Sequence, residues 1–524
     1  MKDTSKRTIT IALVLICAVQ LTIALFWASK KSYLFFDEVY SYPAANNMES
    51  TAYAFPENEW ADGTWFDEYM GVSKEHRFHY AIPFGNQVTD VHPPLFYILL
   101  HTASSFVPGH FSFMAGLSVN IILFIASSIA LYFLGKEIFQ NKSAALIIAL
   151  LYGVSYGGLN TMVYIRMYML LTLMTILHLL VYLRYFDEER IPLKGYLLLT
   201  VTLVAGVLSQ YYFLFIAFFL GVWYTIKFFL EKKYIILGKY LGTIFASAAL
   251  SLMIWPAMLH HLFGGVRGTE ATENLFASGD YFSQLKEMVR IINNDMFTKF
   301  MWIILAGIAV LFMISRKKGC NVSEKTKKNI TVTLFVTIGY LLLVTKVAPY
   351  QVDRYLMPVY PLVYAVIVGS VFYVVSVIFN KKLAAILCIL GFGGLSMIHM
   401  VHSGIPYTYM KNPDNIERQK IAEEYQDSYA LYISDNGECH QFYSAQMLRK
   451  YQGFYHVYDL TTTEKTTTDM QILENEEKLV VYVSNTKDME EINRFVGSIF
   501  NGAVLSEENL LDEDDDWNVY LLNI

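Results

Sequence analysis

Charge is scarce in this chain: of 524 residues only 16% are Asp, Glu, Lys or Arg, while 55% are hydrophobic and 15% aromatic. A soluble chain of that length needs more polar surface, so a soluble globular fold is excluded. Neither sign of charge dominates, the formal net charge being -6, and Lys and Arg fall in short clusters between apolar runs. Such clusters set membrane topology and build no nucleic-acid surface, so no nucleic-acid partner is expected. Cysteine is rare too. Cys17, Cys320, Cys388 and Cys439 are scattered without CxxC or Cys/His spacing, which excludes a disulfide framework or a structural metal site built on them. Asp and Glu are nearly absent from the long apolar runs and no half repeats the other. Both absences weigh against a transporter or lipid flippase, the alternative class for a many-span chain.

What is present is a series of runs long enough to cross a bilayer. The first, Ile9–Ala28, follows Lys2, Lys6 and Arg7, and its length and lack of a small-residue cleavage site distinguish it from a signal peptide. Further runs lie near residues 111–134, 143–160, 162–183, 195–209, 211–229, 235–258, 298–315, 329–346, 355–379 and 383–401, giving about 11 spans. The segment Pro94–Val107 is too short and polar to join them. If it does not cross and the amino terminus is cytoplasmic, the clusters Lys136/Lys142, Arg184/Arg190/Lys194, Lys227/Lys232/Lys233, Arg316–Lys328 and Lys381/Lys382 all fall inside. Lys30 and Lys31, just outside the first span, run against the trend. The polar loops, including residues 30–110 and 259–297, then face the exterior.

From about residue 404 the chain becomes charged and tyrosine-rich. ALYIS, FYHVY, KLVVYV and WNVYLL read as strands, and Met489–Phe500 as an amphipathic helix. The expected organisation is a membrane domain over residues 1–403, with a first extracytoplasmic loop at 30–110, and a small α/β extracytoplasmic domain over 404–524. LDEDDDW, Leu511–Trp517, reads as a solvated acidic turn, because its spacing is not that of an EF-hand. In the 263–297 loop, Phe282, Leu285, Met288, Val289 and Ile292 mark one apolar face of a surface helix.

The polar residues worth weighing lie in the exterior segments. Asp37 and Glu38 follow the first span, where carboxylates near lipid either reach water or have a task. Asp90 and His92 precede Pro93 and Pro94, and prolines suit the first turn of a helix, so TDVHPPLFYILLH reads as a polar head on a short helix at the membrane surface. Arg166 in YIRMYML, Arg267 in VRGTE and Arg354 in DRYLMP sit at exterior ends, where guanidinium groups would suit a phosphate. Tyr211 and Tyr212 in SQYYF, and His260/His261, are weaker members.

A DE pair beyond the first span, D-x-HPPL before a short apolar segment, R-x-Y at a later turn and RYL-x-P near the end together resemble the polytopic glycosyltransferases of the GT-C fold. The likeness is to the bacterial dolichyl-phosphate-mannose–protein mannosyltransferase-like family (glycosyltransferase family 39) and to aminoarabinose transferases of lipid A, over roughly residues 8–400. It implies an α-helical polytopic GT-C-like bundle in the cell membrane. The implied activity is transfer of a sugar from a polyprenyl-phosphate donor to a hydroxyl of a protein, lipid or glycan acceptor on the outer face. It also implies Asp37 as base with Glu38 as its neighbour, and Asp90 and His92 as the second motif that helps build the site; the expected catalytic set is Asp37, Glu38 and Asp90, and the residues read toward substrate are His92, Arg166, Tyr168, Tyr211, Tyr212, Arg267, Arg354 and Tyr355. Members often carry Glu where this chain has Tyr164, so no metal cofactor is expected, a divalent ion being the less favoured option.

Overall fold

The computed structural model describes residues 6–50, 55–277, 279–318, 321–403, 407–410, 416–434, 444–513 and 517–524. Cys320, Cys439 and Asp514–Asp516 of the acidic turn lie outside them. The chain divides into two compact units, one of Met1–Lys30, Gln87–Leu99 and Gly116–Pro406, the other of Lys31–Asn86, Leu100–Ala115 and Tyr407–Ile524.

The first unit is a bundle of apolar helices, and the chain is a polytopic membrane protein. Among the described residues eight helices are long and apolar enough to cross a bilayer, from Lys6–Ala28 to Lys381–His402. Two bent pairs, Lys142–Tyr152 with Tyr156–Val163 at 55° and Tyr281–Phe297 with Met301–Lys317 at 74°, raise the number to ten if each is one span. The remaining sequence segment, Leu193–Ser209, is a helix of 17 residues, about 26 Å at 1.5 Å per residue and so at the short limit for crossing. Leu95–Ser104, with 10 residues, reaches about 15 Å and cannot cross a core ~30 Å thick.

Both bends have local causes. The first opens at Gly153, where a Cβ would lie 1.8 Å from the Gln20 amide nitrogen, so only glycine admits the Gln20 side chain. That amide donates to the Ala149 carbonyl at 2.8 Å. Ser155 then caps the next helix, accepting from the Gly158 N–H at 3.1 Å. The second bend falls at Thr298, whose φ of 51° is left-handed and ends the helix.

The second unit centres on a six-stranded sheet of order β1-β3-β2-β4-β6-β5. The strands are β1 Trp60–Ala61, β2 Tyr429–Ile433, β3 Gly453–Val457, β4 Lys478–Ser484, β5 Leu510–Glu513 and β6 Trp517–Asn523. β3, β2 and β4 are parallel, whereas β1 on one side and β6 with the edge strand β5 on the other join antiparallel. Side chains alternate between faces. Leu431, Ile433, Tyr455, Val457, Val481 and Val483 pack on one side with Ile492, Phe495 and Val496 of the helix Met489–Ile499. Ala430, Tyr432, Phe454, Val480 and Tyr482 pack on the other with Ile421, Met447, Leu448 and Tyr451. The four strands and the helix read from the tail are all present.

One edge of the sheet comes from far away in sequence. β1 belongs to the first loop, with Trp60 opposite Tyr455 and Ala61 opposite Phe454. A division at 403/404 sets the tail apart from that loop, whereas the compact unit contains both.

Candidate active site

Within the first unit the second motif folds around Arg166. The helix Ala81–Thr89 ends just before Asp90, and Pro94 opens Leu95–Ser104 by accepting from the Ile98 N–H at 3.0 Å. In the turn between them, His92 Nδ1 lies 2.9 Å from Asp90 Oδ2, and Arg166 Nη2 lies 3.4 Å from His92 Nε2. A guanidinium only donates, so Nε2 is the acceptor and Nδ1 carries the proton that Asp90 receives. Arg166, 6% exposed, also donates from Nη1 to the Tyr97 hydroxyl at 3.3 Å. Gln87 is fully buried with two acceptors facing its amide, so its nitrogen is assigned to that side, where it donates to Asp90 Oδ2 and to the His92 carbonyl, each at 3.0 Å. Burial opposes the ionised Asp90 carboxylate, but the His92 hydrogen bond, the Arg166 charge and the Val91 N–H outweigh it and hold the carboxyl below its ordinary value.

The backbone around Arg166 is fixed from behind. Asn120 donates from its amide to the Met162 and Tyr164 carbonyls, at 3.0 and 2.6 Å. The Tyr164 ring stacks on Tyr168 with centroids 5.6 Å apart. Tyr164, the departure from the family pattern, is thus fully buried and packs the turn.

Tyr211 and His261 enter through a relay whose proton positions follow from donor chemistry. Trp255 Nε1 donates to the Tyr211 hydroxyl at 3.0 Å, that hydroxyl lies 2.8 Å from His261 Nδ1, and His261 Nε2 lies 3.2 Å from the Val88 carbonyl. The indole only donates and the carbonyl only accepts, so Tyr211 donates to Nδ1 and Nε2 carries the proton. Burial lowers the His261 pKa, in keeping with this neutral form. The relay ties the helix Met258–Phe263 to the last turn of the helix Ala81–Thr89, which leads into Asp90.

Tyr212, Arg354 and Tyr355 form a second group in the same unit. Asp353 opens the single turn Asp353–Tyr355 and accepts from the Asn160 amide at 2.7 Å. Tyr340 donates to the Tyr355 carbonyl at 2.8 Å, Tyr212 meets the Tyr355 ring edge-on at 5.2 Å, and the Arg354 guanidinium lies 5.3 Å from that ring. Burial, then the neighbouring tyrosines, push the Tyr212 phenol well above its ordinary pKa, with Arg267 pulling the other way. Arg267 pairs with Glu270 at 2.6 Å and lines a cavity of about 690 Å³ with Val91, Gly264, Val266, Thr269, Glu270 and Glu273. Val91 sits between Asp90 and His92, so this cavity adjoins the motif. Among the described residues no group of three or more His, Cys, Asp or Glu could hold a metal ion.

Asp37 and Glu38 belong to the second unit, in the first turn of the helix Phe36–Asn46. A carboxylate there is favoured by the helix dipole. The two neighbours differ sharply. Glu38 is fully buried; its Oε2 accepts from the equally buried Lys31 at 2.9 Å and from the Phe35 N–H at 2.6 Å. Lys31 also donates to the Tyr409 carbonyl. Glu38 therefore has a structural task, capping its own helix and neutralising a lysine. Asp37 is half-buried. Gln87, Tyr97, Trp255 and Lys31 were not singled out as site residues. Only Lys31 gave a signal, as a cation on the wrong side of the charge bias.

No protein-family profile and no curated protein matches the chain. Solved structures do. ArnT from Cupriavidus metallidurans bound to undecaprenyl phosphate aligns over 97% of both chains at 10% identity, with a TM-score of 0.53. The chain has the fold of ArnT. The apo ArnT of the same organism aligns over 92% of this chain and 95% of its own at 10% identity and a TM-score of 0.47. The archaeal oligosaccharyltransferase AglB from Archaeoglobus fulgidus, in complex with an inhibitory peptide and a dolichol-phosphate, aligns over 92% of this chain and 70% of its own, at 10% identity and 0.45. The GT-C-like architecture expected from the motifs is thus the architecture of the structure.

Proposed function

We propose that this protein is a membrane glycosyltransferase that moves a sugar from a polyprenyl-phosphate-linked donor to a hydroxyl acceptor on the outer face of the membrane. The observation that carries the reading is Arg166: a buried guanidinium, aimed by His92 and Tyr97 beside a cavity that also holds Arg267, in a chain with the fold of a protein bound to undecaprenyl phosphate. In the reaction an acceptor oxygen forms a bond to the anomeric carbon while the bond to the phosphate oxygen breaks, inverting that centre. The departing polyprenyl phosphate gains negative charge, which Arg166, Arg267 and Arg354 stabilise by preorganised donation. Asp37 takes the proton of the attacking hydroxyl, a contribution of about 10²–10⁴-fold. Asp90 and Gln87 hold His92, and His92 holds Arg166. No metal is assigned a step. The side of the membrane follows from the cluster pattern of Lys and Arg, which puts both motif loops and the tail outside.

The test is transfer of radiolabelled sugar from a panel of polyprenyl-phosphate sugars by purified protein in lipid, with wild type beside Asp37→Asn. Release of polyprenyl phosphate by wild type and its loss in the variant is the expected result. Donor-independent behaviour of both proteins, with no donor bound, would overturn the reading and favour the transporter alternative.

A further inference from the structure

The tail of a chain like this is easily taken for an accessory module, but several of its contacts within the second unit fall on one short stretch of the first loop, beside Asp37. Gln446, 8% exposed, grips the main chain of Leu34: its Oε1 accepts from the Leu34 N–H at 2.8 Å, and its Nε2 donates to the Leu34 carbonyl at 3.0 Å. Leu34 is fully buried, so both backbone groups need partners, and a single amide supplies them as a strand would. Leu34 lies three residues before Asp37. On the other side of Leu34, Lys31 donates to the tail carbonyl of Tyr409 while pairing with Glu38, the residue after Asp37. The ring of Tyr409 meets that of Phe35 edge-on at 5.2 Å. Asp37 is thus bracketed by Phe35 and Glu38, and each is held by groups that lead to the tail.

We propose that the carboxyl-terminal domain orients the first-loop carboxylate, with Gln446 as a positioning residue for Asp37. The inference rests on the transferase reading above. Gln446 touches neither substrate nor reacting atoms; it sets the direction in which the helix Phe36–Asn46 leaves the chain. A displacement of about 1 Å at a reacting group can cost on the order of 10²-fold in rate, so loss of the grip acts on kcat and leaves donor binding by the arginines intact.

The experiment compares full-length wild type, Gln446→Leu, Gln446→Glu and Asp37→Asn in lipid, measuring kcat and donor KM from pH 5 to 8 along with thermal melting. Gln446→Leu removes both bonds and should lower kcat about 10- to 100-fold with KM nearly unchanged. Gln446→Glu is more telling. When protonated, the introduced carboxyl both donates and accepts, reproducing the amide; when ionised it only accepts and faces the Leu34 carbonyl. Its kcat relative to wild type should therefore fall as pH rises, a dependence that loss of packing alone does not produce. If Gln446→Leu does not fold, Gln446→Glu decides alone. Wild-type kcat in both folded variants, a ratio flat with pH, or a loss confined to KM would overturn the inference while Asp37→Asn stays inactive. Full transfer by Asp37→Asn would instead remove Asp37 as base, and the positioning role with it.

Discussion

Arg166 meets His92 on one side and Tyr97 on the other, and both contacts need a planar donor fork. Lysine has no such fork. Arg166→Lys should lower kcat/KM about 10²–10³-fold, as measured by polyprenyl phosphate release, with melting little changed. His92→Phe, which removes the acceptor facing Arg166, should reproduce part of that loss, and equal activity would sever His92 from Arg166. A second histidine acts on stability. His456 is buried between Ser434 Oγ at 2.7 Å and the Pro56 carbonyl at 3.0 Å, and burial pushes its pKa down to about 4. A depressed folded pKa stabilises the fold above the unfolded value near 6.5, and that stability is lost as pH falls toward 4. The contribution is on the order of 3 kcal/mol. Wild-type melting should therefore fall more steeply than that of His456→Gln between pH 6.5 and 4.5, and parallel curves would deny His456 this role. The sequence named Asp90, His92 and Arg166 by type and place. It could not name Gln87 as their partner, because a buried glutamine leaves no pattern of its own.

The apolar helices were readable because length and hydropathy state directly what a bilayer demands. The bends were not, since each depends on contacts with distant side chains, such as Gln20 at Gly153. The surface helix Tyr281–Phe297 was placed, and of its expected face Met288 and Ile292 are buried whereas Phe282 is 80% exposed. Leu95–Ser104 offers a direct test of topology. Being too short to cross, it should leave its two flanks on one side. In a background without native cysteines, single cysteines at Asn86 and Gly109 should both react with a membrane-impermeant maleimide applied outside. Reaction at only one would make the segment a span and reverse every later loop.

Across the whole molecule, the least legible feature was the partnership of the first loop with the tail. Trp60 donates to the Asp469 carbonyl at 2.9 Å and Lys465 donates to the Asn58 carbonyl at 2.5 Å, pairings that no local periodicity reveals. Removing residues 407–524 should therefore leave a membrane-inserted chain whose first loop is cut readily by trypsin at Lys74 and Arg77, and which transfers no sugar. Protease resistance equal to full length would show that the loop folds without its partner.

The Gln446–Leu34 contact joins positions 412 residues apart, and that separation has a meaning in time. At roughly 5–20 residues per second, the ribosome needs about 20–80 seconds to make the intervening chain. Through that interval β1 has no β3 to pair with, and the Leu34 main chain has no amide to hold it. On the proposed role of Gln446, a nascent chain of this kind comes into working order only when its tail arrives, and an unfinished copy stranded in the membrane should be silent.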